Sequence, residues 1–192
     1  LYDRVSGSVS ISGGDISVLN AVNISSFTVG EQDNAITYSI SDGAGDADNV
    51  GVTTNTAAVN RAIAEAQEVT VTEALTVAEA KEMLEDVDGN PLEAEEAQKF
   101  DYAISDQFLA VTNAASAADG DTHAQVAYNQ ADSTGGVTLT PASVESLIAH
   151  YEALSSNNVY TVKDTLANLS QDLDNIATLL GNAASIEIVD EP

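Results

Sequence analysis

The sequence predicts an α/β chain: an irregular right-handed solenoid-like stack of strand-helix repeats with parallel strands, preceded by a β-rich N-terminal segment. Three observations lead there. A phrase of alternating apolar residues ending in Asp, Glu or Pro recurs along the chain, and helical periodicity follows most of its occurrences. The composition also favours thin aliphatic layers: hydrophobic residues make up 44%, yet Trp is absent and aromatics reach only 5%. A chain of 192 residues is long enough to bury a real core, as one large domain or two small ones. The pattern places the β-rich segment at 1–37 and the strand-helix repeat domain at 38–192.

Residues 5–38 are short β-branched runs broken by Gly, Asp and Asn, which is strand-rich composition. Val9, Ile11, Ile16, Val18, Val22, Ile24, Phe27 and Val29 are the expected inward side chains. The segment reads either as a continuation of a parallel sheet or as a small separate β layer. From Tyr38 the recurring unit begins: YSISD ends at Asp42, VTVTE at Glu73, YAISD at Asp106, VTLTP at Pro141, YTVKD at Asp164 and IEIVD at Asp190. Asp and Glu suit a helix start by their charge against its dipole, Pro by its fixed φ. Helical spacing follows in Val59 and Ile63, in Val77, Ala80, Met83 and Leu84, and in Val144, Leu147, Ile148, Tyr151 and Leu154. The Ala-rich stretch after Tyr102 is a weaker helix.

The last unit is the clearest. Asp164 is expected to cap one helix whose stripe is Leu166, Leu169, Leu173, Ile176 and Leu180; Gly181 then ends it, and Ile186 and Ile188 begin a strand. No such strand or helix buries its apolar side alone, and a period of roughly 25 to 35 residues lies in the solenoid range. Strands joined through helices are expected to be parallel, with right-handed crossovers. A doubly wound α/β domain is the alternative, but no Gly-rich phosphate loop follows any strand.

Asp and Glu number 31 against 5 Lys and Arg, a formal net charge of −26. Phosphate backbones and anionic lipid repel such a chain, so no nucleic-acid partner is expected. No apolar run approaches the roughly 18 residues of a membrane span, so no membrane insertion is expected either. Self-repulsion opposes the compact state unless salt screens it or cations bind. Calcium, which takes carboxylate and carbonyl oxygens, is the candidate cofactor. There is no Cys, which removes disulfides and thiolate metal sites and fits a secreted bacterial protein. The N-terminus has neither Met nor a signal pattern, so the chain is expected to be cut from a longer one with its targeting signals elsewhere.

Two stretches have calcium-ligand spacing. In DGAGDADN, Asp42, Asp46, Asp48 and Asn49 surround two glycines. In DVDGN, Asp86, Asp88 and Asn90 copy the opening of an EF-hand-type loop, but Pro91 replaces its Gly and Glu93, Glu95 and Glu96 miss the closing position. Each has a metal-free alternative: a solvated acidic loop for the first, a turn between Leu84 and Leu92 for the second. His123 and His150 make no ligand spacing with an acidic residue. Tyr38, Tyr102 and Tyr160 share one place in their units, which argues for packing at strand starts. Ser, Thr and carboxylates are too abundant for any triad or pair to stand out, so no catalytic residue is assigned.

Residues 160–190, YTVKDTLANLSQDLDNIATLLGNAASIEIVD, resemble the repeats of very large secreted bacterial surface proteins, the S-layer-like and type I-secreted adhesin-like group. In those repeats a phrase V-x-D-T-x-x-N-L leads a helix and closes in a strand ending in Asp. The close match covers Val162 to Asp190, Val69 to Leu84 is a looser one, and the remainder departs. The resemblance implies a non-enzymatic structural or adhesive segment of a surface or filament-forming protein, extracellular or at the cell surface, often with calcium. Its expected partners are self-association or neighbouring repeats of the same chain, and a cell-surface or carbohydrate partner. Two other classes fit the residues: an ancillary binding domain of a secreted hydrolase or toxin, and a virion fibre or decoration protein. Further copies with a secretion signal in the parent sequence, a catalytic domain there, or neighbouring virion genes would separate the three.

Overall fold

The computed structural model describes residues 9–10, 16–25, 36–43, 57–86, 88–134, 136–171 and 175–189. In chain order its elements are β1 (Val9–Ser10), α1 (Val18–Ser25), β2 (Ile36–Thr37), β3 (Ile40–Asp42), α2 (Ala57–Glu65), β4 (Val69–Val71), α3 (Val77–Met83), α4 (Ala94–Ala97), β5 (Phe100–Asp101), β6 (Ile104–Asp106), α5 (Phe108–Ala115), α6 (Thr122–Ser133), β7 (Val137–Ala142), α7 (Val144–Ala149), β8 (Val159–Asp164), α8 (Leu166–Leu169), α9 (Ile176–Asn182) and β9 (Ser185–Ile188). The chain divides into two compact units, Leu1–Glu73 with Glu82–Tyr102, and Ala74–Lys81 with Ala103–Pro192.

The architecture is mixed α/β with parallel sheets, ordered β1-β2, β3-β4-β5 and β6-β7-β8-β9. Parallel neighbours need crossover connections, and among the described residues a helix occupies each of the six. Register reveals a repeat longer than the phrase that marks it. Strands of one class run into a Ser/Thr-Val helix start: Val69 and Val71 lead to Leu75-Thr76-Val77, and Val137 and Leu139 lead to Ala142-Ser143-Val144. Val9 to Ile16-Ser17-Val18 has the same form. Strands of a second class end in Asp and have a Tyr four residues before it: Tyr38 and Tyr102 stand two residues ahead of β3 and β6, and Tyr160 lies within β8. Each pairs first with such a helix start, as Ile16 with Ile40, Leu75 with Ile104 and Ala142 with Val162. Its other side then meets the next valine-class strand, as Ile40 with Val69, Ile104 with Val137 and Val162 with Ile186.

The buried layers follow that register. Ile40 and Val69 are fully buried in the first unit, and Ile104, Val111, Val137, Leu147, Val162 and Leu179 in the second. The tyrosines at the strand starts are buried as well. Tyr38 Oη donates to the Ala62 carbonyl at 2.7 Å and Tyr160 Oη to the Leu179 carbonyl at 2.8 Å. Both acceptors lie in the last turn of a helix, where carbonyls lack intrahelical partners. Burial, then the charge of Glu65, pushes the Tyr38 hydroxyl up to about 12.

Two local expectations are corrected. Val18, Val22 and Ile24 were expected on strands, but Val18–Ser25 is helical, burying Val18, Ala21 and Ser25. The described part of 1–37 thus combines a helix with strands. β-branched composition is a weak prior that tertiary contacts override. The single helix expected after Asp164 is two, α8 ending at Leu169 and α9 starting at Ile176 after Asn175, whose φ of 69° is left-handed. The break changes the stripe: Leu166 is exposed, Leu169, Ile176 and Leu180 are half-buried, and Leu179 is the fully buried residue. Leu173 lies outside the described residues. Helix α9 runs through Gly181 to Asn182, and α6 is a helix that the sequence reading did not single out.

Candidate functional site

The side chains that the fold arranges most consistently are the aspartates closing the tyrosine-class strands. Asp42, Asp106 and Asp164 each reach sideways to the first residue of an earlier helix. The Oδ2 atom accepts the backbone N–H of Val18 at 2.9 Å, of Val77 at 2.9 Å and of Val144 at 3.0 Å. Those donors stand 24, 29 and 20 residues earlier in the chain. The Oδ1 atom accepts the N–H of the next residue, Gly43 at 2.9 Å, Gln107 at 2.6 Å and Thr165 at 2.8 Å.

Parallel register explains the arrangement. Where Ala142 faces Val162, the earlier strand leaves the sheet two residues later to enter α7. The Val144 N–H then has neither a ladder partner nor an intrahelical one, and the carboxylate beside it supplies the acceptor. A local cap adds to this at each helix. Ser17 Oγ accepts from Asn20 N at 3.4 Å, Thr76 Oγ1 from Glu79 N at 3.2 Å and Ser143 Oγ from Ser146 N at 3.3 Å. Glu79 Oε2 also accepts the Thr76 N–H at 2.7 Å, completing a capping box.

Asp164 was expected to cap the helix that follows it. The cap of that helix is Thr165, which accepts from Asn168 N at 3.3 Å, while the main-chain helix start held by Asp164 belongs to α7. Asp164 also receives Asn168 Nδ2 at 2.7 Å. Burial raises the Asp164 pKa, but the hydrogen bonds from Asn168, Thr165 and Val144 outweigh it and hold the group below the ordinary aspartate value. A carboxylate kept ionised by three donors is suited to anchoring backbone and poorly suited to taking up a proton.

Of the proposed calcium ligands, Asp42 is one of these anchors, and Asp46, Asp48 and Asn49 lie outside the described residues. Asp86, Asp88 and Asn90 sit in a turn closed by Leu92 N to Leu84 O at 2.8 Å and by an antiparallel bridge between Glu85 and Pro91. Asp86 Oδ1 accepts the N–H groups of Asp88 and Asn90, both at 2.9 Å. Bonds led by the Asn90 N–H lower the Asp86 pKa. Among the described residues no group of three or more His, Cys, Asp or Glu is placed to hold a metal ion.

The scarce lysines are used as ties. Lys81 Nζ meets Asp121 Oδ2 at 2.9 Å, and Asp121 Oδ1 caps α6 through Ala124 N at 3.1 Å. The hydrogen bond from Lys81 leads the lowering of the Asp121 pKa. Lys99 Nζ donates to the carbonyls of Ile63 at 2.9 Å and Ala64 at 3.2 Å, closing the C-terminal end of α2. In the second unit, Asn158 Oδ1 accepts from Tyr128 Oη at 3.2 Å while its Nδ2 donates to Asp132 Oδ1 at 2.8 Å. His150 packs edge-on against Phe108, ring centroids 5.8 Å apart.

Sequence reasoning singled out Asp42, Asp106 and Asp164 as strand-ending acids but not their partners. The signal that could have found them is the paired spacing of a Ser/Thr-Val helix start with a later Tyr-x-Ile/Val-x-Asp strand. No described helix is long and apolar enough to cross a membrane. No protein-family model, no curated protein and no solved structure matches the chain.

Proposed function

We propose that this chain is a non-enzymatic structural or adhesive segment of a secreted bacterial surface or filament-forming protein. In this reading each compact unit is a short right-handed solenoid of strand-helix turns, stabilised outside the cell by salt and by calcium. The observation that carries it is the recurrence of one bond in three places, Asp42 to Val18, Asp106 to Val77 and Asp164 to Val144. Carboxylates that fasten one rung to the next are what a stacked repeat needs, since each rung is stable only against its neighbours. The net charge of −26 supports a setting rich in cations and disfavours phosphate-bearing partners. An antibody raised against the chain tests the reading on intact cells of its source. Surface or filament labelling is expected, and labelling confined to the cytosolic fraction would refute it.

A further inference from the structure

Among the described residues, the open edge of β9 differs from the equivalent edges of β4 and β7. Ile186 and Ile188 occupy the register places of Val69 and Val71 in β4 and of Val137 and Leu139 in β7: Ile40, Ile104 and Val162 pair with the first residue of each couple, and Asp42, Asp106 and Asp164 with the second. In the two internal strands these side chains are buried, Val69 at 0%, Val71 at 5%, Val137 at 0% and Leu139 at 2% exposure. In β9, Ile186 is 46% and Ile188 58% exposed. The same contrast holds beside it. Phe108, two residues after Asp106, is buried, whereas Leu166, two residues after Asp164, is 65% exposed.

Each internal strand is paired at this edge by a tyrosine-class strand, Phe100 with Val69 on β4, and Val159 and Tyr160 with Thr138 and Leu139 on β7. Among the described residues β9 pairs only with β8.

We propose that the edge of β9 is a docking site for one more parallel strand of the tyrosine class, Tyr-x-Ile/Val-x-Asp, supplied by a further copy of this repeat. Leu139 faces Tyr160, so Ile188 faces the incoming tyrosine, and Val69 faces Phe100, so Ile186 faces the residue two places before it. Main-chain bonds to a sheet edge supply affinity, and alternate side-chain pockets supply selectivity. All four residues of β9 are exposed; Glu187 pairs with Lys163 at 3.1 Å, and Ile186 and Ile188 are its apolar pair. The inference rests on the structural reading above and names its partner.

The test uses the whole chain, labelled with nitrogen-15, and a synthetic peptide with the sequence of residues 99–107, KFDYAISDQ. Saturable shifts are expected at the amides of Ser185 to Ile188. The peptide carrying Tyr102→Ser and Ile104→Ser should lose them. Ile188→Lys in the chain should weaken binding roughly tenfold or more, since one large apolar contact is removed. Its exposure in the free chain means the variant should fold, which an unchanged melting curve checks. Absence of shifts at β9, equal shifts with the doubly substituted peptide, or unaltered binding by the folded Ile188→Lys chain would each overturn the proposal. Those failures leave surface labelling of cells unaffected, so they are distinguishable from failure of the functional reading.

Discussion

Replacing Asp164 with Ala tests the cross-strand anchor directly. The substitution strands the N–H of Val144, a buried residue, which costs about 1 to 3 kcal/mol as an unsatisfied donor. It also removes a negative charge from the start of α7, about 0.3 to 1 kcal/mol. We expect a net loss of about 2 to 3 kcal/mol, slightly reduced because the chain sheds one of many like charges. Thr165→Ala, which removes only the local cap of α8, should cost about 1 kcal/mol. Urea unfolding at matched ionic strength measures both, with the exposed Glu68→Ala as a control for charge removal. The decisive quantity is the double-mutant cycle with Ser143→Ala, because Ser143 and Asp164 serve the same helix start. Coupling of about 0.5 kcal/mol or more is expected. Additivity with Ser143→Ala, together with coupling to Thr165→Ala alone, would refute the cross-strand account. Acid gives an independent check. The folded pKa of Asp164 is depressed, so its contribution is present above the unfolded value of about 3.9 and is lost as pH falls through the folded value. The gap between the native chain and Asp164→Ala should therefore close in acid.

Tyr38→Phe removes the hydroxyl bond to Ala62 and should cost about 0.5 to 1.5 kcal/mol by the same unfolding measurement. The Tyr38 pKa is raised to about 12, so its stabilising contribution is complete below the unfolded value of about 10 and disappears as pH rises through 12. Tyr38→Phe should blunt alkaline unfolding over that window. Lys99→Met keeps much of the stem but removes the ammonium from the Ile63 and Ala64 carbonyls; faster amide exchange at the C-terminal end of α2 is expected, and unchanged exchange would count against the tie. Calcium should raise the melting temperature above magnesium or sodium chloride at matched ionic strength, by up to about 2.7 kcal/mol of stability at a hundredfold excess over Kd. Asp46→Asn with Asp48→Asn should abolish the difference, and equal melting in all three salts would remove the dedicated site.

By itself the sequence determined the classes of element and their order along most of the chain. The phrases ending at Asp42, Glu73, Asp106, Pro141, Asp164 and Asp190 all contain strands, because period-two alternation of β-branched residues needs no distant partner to be read. It also determined the stripe of Val77, Ala80, Met83 and Leu84 and the shared burial of Tyr38, Tyr102 and Tyr160. Tertiary structure decided what depends on residues far apart in the chain. The helix at Val18–Ser25 is β-branched in composition, and the carboxylate at its first residue comes from Asp42 on the neighbouring strand, so no local window contains the whole signal. The roles of Asp106 and Asp164 are hidden for the same reason. A carboxylate in sequence shows its charge and its neighbours, whereas the N–H it accepts is fixed by strand register, which forms only when the sheet does.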